Sequence, residues 1–338
     1  MNLPPQPRKP YVADPSRYEK NMPYRRCGKW GLPLSALSLG FWWNFGDDET
    51  YSSCHRRVTT AFDNGITVFD LANNYGPPFG AAEEMMGRIM AQSLHTHRHE
   101  MVITTKAGHD MWEGPYGDGS SRKMLMTSIN ESLSRMGIDY VDIFYSHRYD
   151  GVTPVEETMQ ALVDIVRSGK ALYVGLSKYP ADKLVEALAY LRDAHTPCIV
   201  YQDKSNMLVD NLTSAHREAL EKYGVGYTAF SPLQQGLLTD KYLNGIPESS
   251  RAANDKHLHR SDITPELVAK LSRLNDIAAE RNQTLAQMAV AWLLRDPSVT
   301  SVIIGPRTMS QLMSLLPAIE NTNFNDTEES LITSILNA

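Results

Sequence analysis

Four side chains in this 338-residue sequence have the types and spacing of a proton-transfer site: Asp70, Tyr75, Lys106 and His147. Asp70, Lys106 and His147 close three successive short apolar runs and stand 36 and 41 residues apart, about one strand–helix unit each. Tyr75 follows on the loop leaving the first of these runs. A carboxylate holds an ammonium in place, and the positive charge is expected to favour the phenolate and lower the Tyr75 pKa from about 10. Tyr75 then serves as a general acid. His147 supplies a donor that orients a carbonyl oxygen and stabilises the charge developing there when hydride reaches the carbon. That is carbonyl reduction without a metal. Singly, a strand-end acid is usually a cap and a lone His or Lys is usually solvated. Four such residues at consecutive strand ends are far harder to obtain by accident.

The elements that must position them alternate along the chain. Eight short runs read as buried strands, at 37–40, 67–70, 102–106, 141–147, 173–177, 199–202, 226–231 and 301–305. Helical patterns separate them. One runs from Ser121 to a stop at Gly137, with Leu125, Ile129, Leu133 and Met136 on one face. Another is expected to take Thr153 as N-cap, Pro154 in its first turn and Glu156 as the partner of a capping box. Alternation of this kind predicts a parallel sheet covered by helices, and eight units close into a (β/α)8 TIM barrel. A doubly wound sheet is the rival, but no GxGxxG follows the first strand. A β-hairpin at 24–34 precedes the barrel. An insertion between strands 7 and 8 holds a polar loop at 244–261 and two helices, 265–281 and 284–295. The proline-rich residues 1–21 read as an extended arm on the surface or on a neighbouring subunit, and 22–338 as a single barrel domain.

Composition narrows the function classes. With 33 Lys and Arg against 39 Asp and Glu, a net charge of -6 gives no electrostatic footprint for nucleic acid. The longest uncharged stretch, 30–46, is broken by Gly31, Pro33, Gly40 and Asn44, so membrane insertion is not expected. The N-terminus lacks the apolar core of a signal peptide, and Cys27, Cys54 and Cys198 form no CxxC, which together favour a reducing cytoplasm. His95, His97 and His99 alternate but fall before the third strand, on the face opposite the candidate site, so no metal is assigned to them. Trp42, Trp112 and Tyr116 follow strand ends and are expected to wall a pocket for a small aldehyde.

The segments GITVFDLANNYG at 65–76, ITTK at 103–106, YVDIFYSH at 140–147 and SPLQQGLL at 231–238 resemble aldo-keto reductase motifs. The resemblance runs from about residue 24 to the last helix. NNYGPP at 73–78, DMWEGPYG at 110–117 and KYLNGIP at 241–247 are similar to the branch that holds the bacterial L-glyceraldehyde-3-phosphate reductases and the potassium-channel beta subunits. It implies NADP(H) lying extended across the barrel mouth. Ser177 and Gln202 would hold the nicotinamide carboxamide, and Phe230 would stack on its ring. Ser231, Leu233, Gly236 and Lys241 would cradle the pyrophosphate, with Arg251 near the adenosine half. Gly305, Arg307 and Gln311 would line the 2′-phosphate pocket. Lys178, Ser205, Asp210, Ser314 and Leu315 depart from the family pattern, the last two at positions that usually hold the adenine. The implied activity is NADPH-dependent reduction of small aldehydes such as glyceraldehyde 3-phosphate or methylglyoxal, by a homo-oligomer. Two alternatives are a nucleotide-sensing regulatory subunit like the channel beta subunits, and a Schiff-base lyase using Lys106. The second of these is disfavoured because Lys106, beside an acid and outside an apolar surround, is expected to stay charged.

Overall fold

Short runs rich in Val, Ile and Leu, buried at all but a few residues such as Leu172 and Lys204, recur in the computed structural model, which describes residues 11–248, 250–253 and 258–338. They form eight parallel strands: β3 (Leu37–Gly40), β4 (Val68–Asp70), β5 (Val102–Ala107), β6 (Val141–Ser146), β7 (Ala171–Ser177), β8 (Cys198–Lys204), β9 (Gly226–Phe230) and β10 (Val299–Ile304). Burial on both faces is what parallel strands under helices require. The eight close into a barrel in chain order, β10 returning to pair with β3 through Val302 with Leu37 and Ile304 with Leu39. Ser38 and Ser301 share a buried 2.6 Å hydrogen bond across that seam. All eight expected strands are present. His147 and Ser231 lie just beyond the strands that were expected to contain them, as the first loop residues.

The helices between strands end where local chemistry stops them. Ser121 caps α3 (Arg122–Met136) by accepting from the Met124 N–H, and Gly137 ends it at φ 63°. The start of α4 (Val155–Arg167) differs from expectation. Pro154 is the N-cap, and no side chain caps the helix. Thr153 is held by Asp150 instead: its hydroxyl donates to that carboxylate at 2.6 Å and its N–H at 2.8 Å. Both bonds belong to the turn three residues back, and no bond from Thr153 reaches the first helical turn.

The hairpin, β1 (Tyr24–Arg26) with β2 (Pro33–Ser35), closes the N-terminal end of the barrel. Its Cys27 and Leu34 join Val68, Val102, Ile143, Tyr145, Ile199 and Val200 in one apolar cluster. Arg25 ties it to the approach to β10, donating to the carbonyl of Val299 at its first residue at 2.9 Å and to that of Leu294 in the preceding helix at 2.8 Å. Residues 11–20 strap onto the same end: the Tyr11 hydroxyl donates to Asp63 at 2.7 Å, and Arg17 pairs with Glu100. The first ten residues of the arm lie outside the described residues. The insertion between β9 and β10 carries α7 (Pro265–Glu280) and α8 (Leu285–Leu294), packed with α10 (Asp326–Asn337) through Leu271, Leu274, Met288, Ile332 and Ile335. Residues 249 and 254–257 of its polar loop are outside the described residues. No helix among the described residues is long and apolar enough to cross a membrane. The opposite, C-terminal face stays open, and strand-end side chains gather there.

Candidate active site

Asp70 ends β4 and is the hub. One oxygen accepts from Lys106 Nζ at 2.7 Å, and the other from Thr104 Oγ1 at 2.9 Å and Gln202 Nε2 at 3.0 Å. Lys106 also donates to the Leu71 carbonyl at 2.6 Å, which leaves one of its three donors uncommitted among the described residues. Its amine stands 5.1 Å from the Tyr75 ring centroid and 5.5 Å from that of Tyr145. The Tyr75 and His147 rings meet edge to face, 5.9 Å apart. The four residues read from the sequence therefore share one end of the barrel.

Their protonation departs from expectation. Burial, and then the charge of Asp70, raises the Tyr75 pKa well above 10 rather than lowering it. No hydrogen bond joins Lys106 to the Tyr75 hydroxyl, and the ammonium is already neutralised at Asp70. Lys106 itself is fully buried between two aromatic rings, contrary to the expected lack of an apolar surround. Burial lowers its pKa while Asp70 opposes the shift. His147 falls well below its ordinary value through burial, then through the charges of Lys178, Lys106, His109 and Arg148. The resting site thus holds a neutral phenol and a neutral imidazole beside a carboxylate–ammonium pair. The His147 Nδ1 atom is buried without a partner.

Ser177 and Gln202 pair in register on β7 and β8. Ser177 Oγ is buried with no hydrogen-bond partner, an orphan that costs stability unless something fills the gap. A primary carboxamide offers both a donor and an acceptor to such a pair, so the residues present fit the nicotinamide end. Phe230, at the end of β9, has Lys178 Nζ 5.4 Å from its ring centroid. Ser231 follows at φ 57°, with its carbonyl accepting from Asn206 Nδ2 at 3.1 Å. Leu233 and Gly236 frame the short 3-10 turn behind it, and Lys241 sits exposed on the next such turn. Arg251 donates to Gln235 of the first turn, and its guanidinium stands 5.9 Å from the Trp42 ring centroid.

Among the residues that the resemblance sets near the adenosine half, the Gly305 carbonyl accepts from Asn44 at 3.0 Å. Arg307 pairs with Glu49 at 3.4 Å. The Gln311 side-chain oxygen is taken by the N–H groups of Arg307 and Thr308, where it forms a capping box for α9 (Met309–Leu315). The departures have their own partners. Ser205 donates to Asp210, which pairs with Arg217 at 2.7 Å. Ser314 bonds back to the Gln311 carbonyl, and Leu315 is buried in the core, so neither position offers the adenine the usual side chains.

Trp112 and Tyr116 lie on the loop after β5, and neither ring pairs with a tetrad ring. Tyr116 is 58% exposed and receives Lys123 Nζ instead, at 5.2 Å. His97 pairs with Glu100 on the far side of the barrel. Sequence reading missed His109, whose ring stands 4.5 Å from His147 and whose Nε2 is 3.3 Å from Lys178 Nζ. Its position three residues past Lys106, on a loop leaving a barrel strand, was the available signal.

A family model described as the aldo/keto reductase family matches residues 36–337. An Escherichia coli (strain K12) protein named L-glyceraldehyde 3-phosphate reductase is 48% identical over 326 residues, 94% of this chain and 93% of its own length. Its counterpart from Escherichia coli O157:H7 is 49% identical over 327 residues, with the same shares of each chain. An Arabidopsis thaliana protein named probable voltage-gated potassium channel subunit beta is 37% identical over 307 residues, 88% of this chain and 92% of its own.

Proposed function

The chain belongs to the aldo/keto reductase family, and from that premise we propose that it reduces small triose-type aldehydes, such as glyceraldehyde 3-phosphate or methylglyoxal, to alcohols with NADPH. The observation that carries the reading is the Asp70–Lys106 pair buried beneath Tyr75 and His147, beside the unfilled Ser177 hydroxyl. We take the protein to act in the cytoplasm as a homo-oligomer.

When bound, the cofactor supplies the hydride. Ser177 and Gln202 would hold its carboxamide, and Phe230 its ring. Ser231, Leu233, Gly236 and Lys241 would hold the pyrophosphate. Gly305, Arg251, Arg307 and Gln311 would hold the adenosine phosphate end. The chain does the rest. Neutral His147 donates one N–H to the carbonyl oxygen and fixes the aldehyde in the mouth. The Tyr75 phenol, kept protonated by burial, delivers its proton to that oxygen as the carbon takes the hydride. The alcohol forms, and the tyrosinate left behind faces the Lys106 ammonium until solvent returns a proton. The phenol is loaded at neutral pH, and the alkoxide that takes its proton is the stronger base. Trp42, Trp112 and Tyr116 would wall the aldehyde pocket.

The test is steady-state loss of nicotinamide absorbance with NADPH and a panel of short aldehydes, L-glyceraldehyde 3-phosphate and methylglyoxal included. Many turnovers per site are expected. A single slow turnover with every aldehyde would favour the alternative of a nucleotide-sensing regulatory subunit; the plant relative is named a probable channel subunit beta.

A further inference from the structure

Glu49 stands on the loop between β3 and α1 (Tyr51–Asp63), with a side chain only 14% exposed, and two guanidinium groups reach it. One is Arg57, fully buried, 3.3 Å away, which also donates to the carbonyls of Asn44 at 2.7 Å and Pro306 at 3.1 Å. The other is Arg307, 3.4 Å away, with a side chain 71% exposed. The carboxylate is thus anchored from inside by a cation that cannot leave. Its outer partner can. Burial lowers the Arg251 pKa against an opposing pull from Tyr242, and the charge of Arg307 lowers it further, so these two guanidinium groups sense each other.

Arg307 and Glu49 therefore stand together where a dinucleotide's adenosine ribose would lie, on the reading given above, on which this inference rests, with the charge of Arg251 in range of Arg307. A ribose 2′-phosphate is drawn to Arg251 and Arg307, but it must compete with Glu49 for Arg307 and then sit near an anion. A plain 2′-hydroxyl has a carboxylate to which it can donate, the way acidic residues read that hydroxyl in other dinucleotide sites. We propose that Glu49 and Arg307 together read the ribose 2′ position, with Glu49 holding down the preference for NADPH so that NADH is accepted beside it. Arg57 is a positioning residue in this arrangement, since it fixes the carboxylate and touches no ligand.

Binding tests this without turnover. NADPH and NADH are titrated into the whole chain while tryptophan fluorescence is followed, Trp42 being beside Arg251. Glu49→Gln is expected to tighten NADPH about fivefold relative to NADH, and Arg307→Met to weaken NADPH about fivefold relative to NADH, the scale of a partly exposed ion pair. Competition by 2′,5′-ADP against 5′-AMP should show the same ratios, which places the effect at the adenosine end. A ratio unmoved in both variants overturns the inference and leaves the reductase reading standing. Failure of the unsubstituted chain to bind either dinucleotide overturns both. Circular dichroism checks that Glu49→Gln folds. If it does not, Glu49→Asp, which keeps the charge but shortens its reach toward Arg307, replaces it and is expected to move the ratio in the same direction.

Discussion

Lys178 sits at φ 55° on the loop leaving β7, with its amine 3.3 Å from His109 and above Phe230. A non-glycine residue in that region is held there by its surroundings at some cost. Burial, and then the charge of Lys106, lowers its pKa from 10.5 to about 8. The folded chain therefore releases this proton earlier than the unfolded one does. Between pH 8 and 10.5 the unfolded state binds more protons, so this group makes folding stability rise with pH, and its full cost is felt below 8. Urea unfolding at pH 8 and pH 10 should show Lys178→Met losing part of the rise seen in the unsubstituted protein. An identical rise in both contradicts the assignment. The tetrad was legible in the sequence because Asp70 ends its strand, Lys106 stands one residue from the end of its own, His147 follows one directly, and side chains at such ends must share the barrel mouth. The protonation of Tyr75 was not, because it depends on how deeply Asp70 and the phenol are buried rather than on which cation is near. His109 was missed for a related reason: its partner His147 lies on the loop after the next strand, and the rings meet through the pairing of β5 with β6, Ala107 opposite Ser146.

The loops that carry these residues brace one another. A Cβ on Gly46, after β3, would lie 2.1 Å from the Pro77 carbonyl, on the loop that carries Tyr75, and the Asp47 N–H donates to that carbonyl at 2.8 Å. The close approach needs a residue without a side chain. Gly46→Ala is expected to destabilise the fold by about 1–3 kcal/mol and, by moving the Tyr75 loop, to lower kcat more than it raises KM. Denaturant melts and kinetics check both, and a variant unchanged in both contradicts the brace. Trp43, Lys178, Ser231, Gln234 and Gln235 all have positive φ and all lie on C-terminal-face loops, so backbone strain gathers at the site end. Helix ends fixed by one residue, such as Ser121 and Gly137 around α3, were readable. The start of α4 was not, because Asp150 claims Thr153 through a loop conformation that no periodic pattern encodes.

At the scale of the molecule, alternation alone announced eight strands, whereas closure depends on long-range pairs such as Ser38 with Ser301 and Arg25 with the start of β10. Closure is also what places Glu49 against Arg307, residues that stand at opposite ends of the chain, and no local pattern could have shown that pair. The same ring of strands sets Asp70, Lys106, Tyr75 and His147 around one opening, and the account stands on the proton that Tyr75 gives up there. The direct measurement compares Tyr75→Phe with the unsubstituted protein in NADPH affinity and in kcat for L-glyceraldehyde 3-phosphate. The account predicts a dissociation constant for NADPH within about twofold and a kcat lower by about 10²–10⁴. Turnover by the phenylalanine variant at a rate close to that of the unsubstituted protein would contradict it.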